Sequence, residues 1–121
     1  MTKRIIVLGE KYTVYTGVPE HKDTALVGRF GYCCPTTRKI VIADLDSIEG
    51  WKDETYYSKR VQENETLRHE VIHAFLYESG VWGSSMGTES WAMNEEMVDW
   101  IARQFPKILK VYRELGCEGE I

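Results

Sequence analysis

Cysteine, proline and histidine are scarce in this chain, with three of each among 121 residues, and nowhere do Lys and Arg cluster or apolar residues run on at length. Each shortage excludes something. Three cysteines, two of them adjacent at Cys33 and Cys34 and the third at Cys117, do not make a disulfide framework, and the spacing is wrong for a Cys-x-x-Cys zinc site. On a strand, adjacent side chains point to opposite faces, so one of Cys33 and Cys34 is expected to be buried as a small apolar group. The apolar run Ile5 to Leu8, behind the basic Met1-Thr2-Lys3-Arg4, is too short for a signal peptide or a membrane span, and the expected location is cytoplasmic. With a net charge of −4 and dispersed cations, the chain lacks the basic patch of a phosphate-backbone binder. Neither nucleic acid nor membrane is an expected partner.

What is present is ordinary for a globular protein: 43% hydrophobic and 28% charged residues. The length suits a single domain, 1–121, with one modest core. The first half reads as β structure. Lys3 to Leu8 and Tyr12 to Gly17 are rich in β-branched and aromatic residues, with Gly9-Glu10-Lys11 as the turn. Leu26 to Cys34 and Arg38 to Ala43 predict a second hairpin around Pro35-Thr36-Thr37. The second half reads as helical. One helix is predicted from about Lys59 to Ser79, capped by Ser58 or Asn64 and ended by Gly80. Gly83 to Ser90 reads as loop. A further helix runs from about Ser90 to Gln104, with Met93, Met97, Trp100, Ile101 and Phe105 as its apolar stripe. Pro106 is expected to open another helical turn that ends near Leu115-Gly116. Strands followed by helices predict an α+β fold, a small, mostly antiparallel sheet of two hairpins with helices on one face.

The chemistry concentrates in His69-Glu70-Val71-Ile72-His73. Residues four apart on a helix lie one turn apart and about 40° round the axis, so His69 and His73 are able to grip one ion. Glu70 faces the same side and is placed to accept a proton from a water at the metal without itself being a ligand. These groups and Tyr77 form one polar sector beside Leu67, Val71, Ile72, Ala74, Phe75 and Leu76. Arg68 has no evident partner.

A third ligand is sought in Asn94-Glu95-Glu96-Met97-Val98-Asp99, which begins 21 positions after His73. Glu95 and Asp99 are four apart and share a helical side. Glu95 then supplies a carboxylate oxygen to zinc, and Asp99 accepts a hydrogen bond from the far nitrogen of a ligating histidine. Glu96 competes with Glu95; the spacing to Asp99 favours Glu95. The bland alternative for this segment is a solvated acidic face.

Together these motifs resemble the gluzincin metallopeptidases, in which HExxH is followed by a glutamate helix where Asn-Glu and a later Asp recur. The short chain is similar to the minigluzincins, and Leu67 to Gly80 with Asn94 to Ile108 is similar to small phage-encoded zincin-like proteins near the ImmA/IrrE type. The resemblance spans roughly Gly31 to Ile108. It implies a zincin-like domain with His69, His73 and Glu95 holding zinc, Glu70 as general base and acid, and a peptide or protein substrate, a regulatory protein among the options, laid along an edge strand of the second hairpin. Full gluzincins also place a Tyr or His at the oxyanion. No motif identifies that residue here; Tyr32, Tyr77, Tyr112 and His21 are candidates by type. The competing expectation is a zinc-stabilised binding or regulatory protein without turnover.

Overall fold

The computed structural model describes residues 1–80 and 95–120, apart from the side chains of Glu95, Glu96, Val98, Asp99 and Ala102. It is a small α+β structure: strands β1 (Thr2–Val7), β2 (Glu10–Val18), β3 (Gly31–Cys34) and β4 (Lys39–Ala43), then helices α1 (Tyr56–Glu78) and α2 (Glu95–Leu115). Among the described residues no helix is long and apolar enough to cross a membrane.

The first hairpin turns more tightly than its sequence suggests. Leu8 (φ 49°) and Gly9 (φ 89°) form a two-residue turn, so that β2 already starts at Glu10. Positive φ at both central residues is the geometry whose twist matches that of the flanking strands. In the second hairpin, β3 is shorter than expected. Leu26, expected to open the strand, instead closes the 3-10 turn Thr24–Leu26, and Gly28 (φ 76°) redirects the chain before β3 begins at Gly31.

The sheet order is β1-β2-β4-β3. Both hairpins are antiparallel, as expected, but they are joined by a parallel pairing of β2 with β4, which makes the sheet mixed. The reason lies in β4. Ile40, Val41, Ile42 and Ala43 are all buried, so this strand needs cover on both faces and takes the interior of the sheet. The half-buried β3 is left as an edge strand.

One face of the sheet, carrying Ile5, Val7, Tyr12, Val14, Ile40 and Ile42, packs on Leu67, Val71, Ala74 and Phe75 of α1 and on Ile108 and Val111 of α2. On the opposite face Leu26, Val41 and Ala43 form a smaller cluster. Helix α1 begins earlier than predicted. Thr55, not Ser58, is its cap, the hydroxyl accepting from the Ser58 amide at 3.1 Å, and Asn64 lies inside the helix. Gly80 (φ 84°) sits just past its end, as expected.

Helix α2 departs further from expectation. It runs unbroken through Pro106. An interior proline costs roughly 3 kcal/mol through its missing N–H and ring clash. Burial of Ile108 and Val111 offsets this, at about 1.5–3 kcal/mol for each such side chain. The predicted apolar stripe is buried only in part: Trp100 packs against the core, Ile101 and Phe105 are 42% and 49% exposed, and Ile108 and Val111, further on, are buried. The expected Gly83–Ser90 loop and Met93 lie outside the described residues. Two bonds set α2 antiparallel to α1: Trp100 Nε1 donates to Ser79 Oγ at 3.0 Å, and the Tyr112 hydroxyl donates to the Arg68 carbonyl at 3.2 Å. Arg68 has a partner after all. Its guanidinium donates to the Cys117 carbonyl at 3.0 Å and to Glu120 at 3.2 Å, tying the C-terminal residues to α1.

Candidate metal centre

Helix α1 carries His69, Glu70 and His73 on the sector that faces β3. The Nε2 atoms of the two histidines are 3.0 Å apart, and their rings cross at 78° with centroids 4.6 Å apart. One ligand atom from each of His69, Glu70 and His73 lies within 4.8 Å of the others, which makes them a potential metal-holding group.

Two nitrogens at this separation share either a proton or an ion, because two protonated imidazoles repel. A tetrahedral zinc with Zn–N bonds of about 2.0–2.1 Å spans ligand nitrogens about 3.3–3.4 Å apart. The pair needs a shift of a few tenths of an ångström to meet that edge, so the donor set fits a divalent ion. Burial, reinforced by the neighbouring His69, holds the imidazolium of His73 below the ordinary histidine range. A neutral imidazole is the form that offers a lone pair to a metal.

Glu70 is only 8% exposed. Burial pushes its carboxyl above the ordinary carboxylate range, while His69 and Arg29 pull it back. A raised pKa makes the carboxylate a stronger proton acceptor than an exposed one.

The surroundings give this group access to an extended ligand. Two hollows meet at Gly31 and Glu70. One, of about 200 Å³, is lined by Phe30, Gln62, Glu65, Thr66 and His69; the other, of about 240 Å³, by Arg29, Tyr32, Cys33, Pro35 and His73. They run beside β3, an edge strand whose outer side pairs with no other strand among the described residues.

Glu95 and Glu96 fall on the first turn of α2 and Asp99 on the next, but their side chains lie outside the described residues, and so does the choice between the two glutamates. Of the four candidates by type for the oxyanion, Tyr32 alone lines either hollow, the one that also holds His73; its hydroxyl donates to Asp23 at 2.6 Å, and burial, then that bond, push its pKa up to about 12. The Tyr112 hydroxyl is bonded to α1, Tyr77 is exposed and His21 stands on an exposed 3-10 turn. Sequence reasoning did not find Arg29 or Gly31. A glycine inside a strand pattern is a signal of close backbone approach, and Gly31 is such a case. Arg29 left no signal, because its place depends on the turn at Gly28.

No protein-family model, curated protein or solved structure matches the chain.

Proposed function

We propose that this protein is a zinc-dependent metallopeptidase-like hydrolase of zincin-like arrangement, with His69, His73 and a glutamate of α2, Glu95 in preference to Glu96, as ligands. The observation that carries the reading is the buried Glu70 carboxylate beside two converging histidine nitrogens, at the junction of two hollows along an edge strand. A purely structural metal site has no need of such a carboxylate, and closed structural sites draw on cysteine, which this cluster lacks.

When bound, zinc supplies Lewis acidity and brings the pKa of a water down toward about 7. The rest is the work of the chain. The β3 backbone presents hydrogen-bonding groups to an extended peptide, which would add as a further strand. Glu70 takes the proton of the attacking water and returns it to the leaving amine. Arg29, at one end of the groove, offers a cation to the peptide or to the charge developing on its carbonyl.

A second reading has its own support. The hollows are shallow, and the hydroxyl of Tyr32, which lines one of them, is already committed to Asp23. These features favour a zinc-stabilised binding or regulatory protein with little turnover. The deciding experiment is digestion of a broad peptide library by zinc-loaded protein, read by mass spectrometry against Glu70→Gln. Fragments from the wild type alone support the peptidase. Peptide capture without fragments supports the binding protein.

A further inference from the structure

A second pocket, of about 300 Å³, opens on a different face of α1 and shares no residue with the hollows at the histidines. It lies where the inner face of the sheet, the first half of α1 and the C-terminal end of α2 diverge. Val14, Leu67 and Leu115 provide apolar wall. Asn64 lines it too; this side chain is only 8% exposed, and its Nδ2 is buried without a hydrogen-bond partner among the described residues.

A buried amide with an unused donor calls for an explanation, because such a group costs about 1–3 kcal/mol. A single water would satisfy it, but the pocket has room for about ten at roughly 30 Å³ each. The apolar part of the wall offers the waters against it no partners, so the apolar part of an organic body displaces those waters readily. The volume stands at the lower end of that of small-molecule sites, about 300–1,000 Å³.

Charge narrows the class. Arg60, exposed at the mouth, forms no side-chain hydrogen bond or salt bridge among the described residues, and its charge acts on the carboxyl of Glu63. Lys3, from β1, lines the same pocket and donates to the Glu114 carbonyl in the last turn of α2. Glu63, the one acid of this lining, stands against these two cations; burial, Asp44 and Asp46 push its carboxyl up, while Arg60 and a backbone hydrogen bond at Leu45 pull it back. The lining therefore favours an anion.

We propose that this pocket binds a small amphipathic carboxylic acid, its apolar body against Val14, Leu67 and Leu115 and its carboxylate toward Asn64 and Arg60. The site is independent of the metal centre and of the peptidase reading.

The test is a nuclear magnetic resonance titration of the full chain with sodium hexanoate, with hexylamine as the cationic control. Saturable shifts are expected at the Asn64 side-chain amide and the methyl groups of Val14, Leu67 and Leu115, with none from hexylamine. Asn64→Leu raises the half-saturation concentration at least about 10-fold, the scale of a hydrogen bond to a charged group. Arg60→Glu raises it about 5-fold. Because Arg60 is exposed, its variant keeps the test decisive if Asn64→Leu disturbs the core. Shifts that do not saturate, equal binding of hexylamine, or unchanged hexanoate binding in Arg60→Glu would each overturn the proposal.

Discussion

Gly31 on β3 and Thr66 on α1 meet so closely that a β-carbon at position 31 would lie 2.9 Å from Thr66 Cγ2; it would also lie 2.8 Å from the Val41 carbonyl oxygen. The second contact is with backbone and cannot swing aside. Strand and helix are flush at the point where Glu70 lies, because position 31 has no side chain. Gly31→Ala is expected to destabilise the fold by about 1–3 kcal/mol, the usual scale of overpacking. Urea unfolding measures it, and an unchanged midpoint would show that the strand moves away at no cost.

The converging histidines predict metal content. The protein should hold about one zinc per chain, seen by native mass spectrometry, and His69→Ala or His73→Ala should abolish it. Binding to the folded form alone raises stability, so a strong chelator should lower the Tm. Glu95→Ala should weaken affinity far more than Glu96→Ala, and Asp99→Asn by about 10- to 100-fold. The reverse order for the two glutamates would move the ligand by one position on α2.

Glu70→Gln separates chemistry from binding. The substitution keeps size and helix propensity and removes the charge that takes a proton. Zinc content should be retained, and any peptidase activity should fall by at least about 100-fold. Loss of the metal in this variant would make Glu70 a ligand and refute the assigned role.

The cysteines should differ in reactivity. Hydrogen bonds from Thr37 and Thr36 stabilise the thiolate of Cys34 and bring its pKa down to about 7, whereas burial pushes Cys33 up to about 12 and Cys117 up to about 11. A lowered pKa means that the thiolate of Cys34 is already well populated at neutral pH and grows as pH rises through 7. Iodoacetamide at pH 7.5 should label Cys34 well before the other two, as peptide mapping will show. Equal labelling of all three would contradict the described packing of β3.

The continuity of α2 through Pro106 predicts that Pro106→Ala stabilises the protein, by an amount up to roughly 3 kcal/mol. Had the helix broken at this point, the substitution would be neutral or harmful. Thermal unfolding decides between them.

The sequence by itself determined what depends on near neighbours along the chain. The two hairpins, the helix around His69, Glu70 and His73 and its glycine stop were legible because turn chemistry, helical period and capping act over a few residues. So was the convergence of the two histidines, since four positions on a helix fix their separation. Other features were decided only by tertiary structure. The parallel contact of β2 with β4 follows from the two-sided burial of β4, which local pattern does not reveal. The passage of α2 through Pro106 depends on what Ile108 and Val111 pack against, and a propensity rule cannot weigh that. Arg29 and Gly31 reach the candidate metal site because an edge strand far back in the sequence lies against α1. Asn64, one of two candidate caps by sequence, is instead a buried amide in a pocket that three separate segments enclose. In each case the deciding energy is burial between distant parts of the chain, which a window of neighbouring residues does not contain.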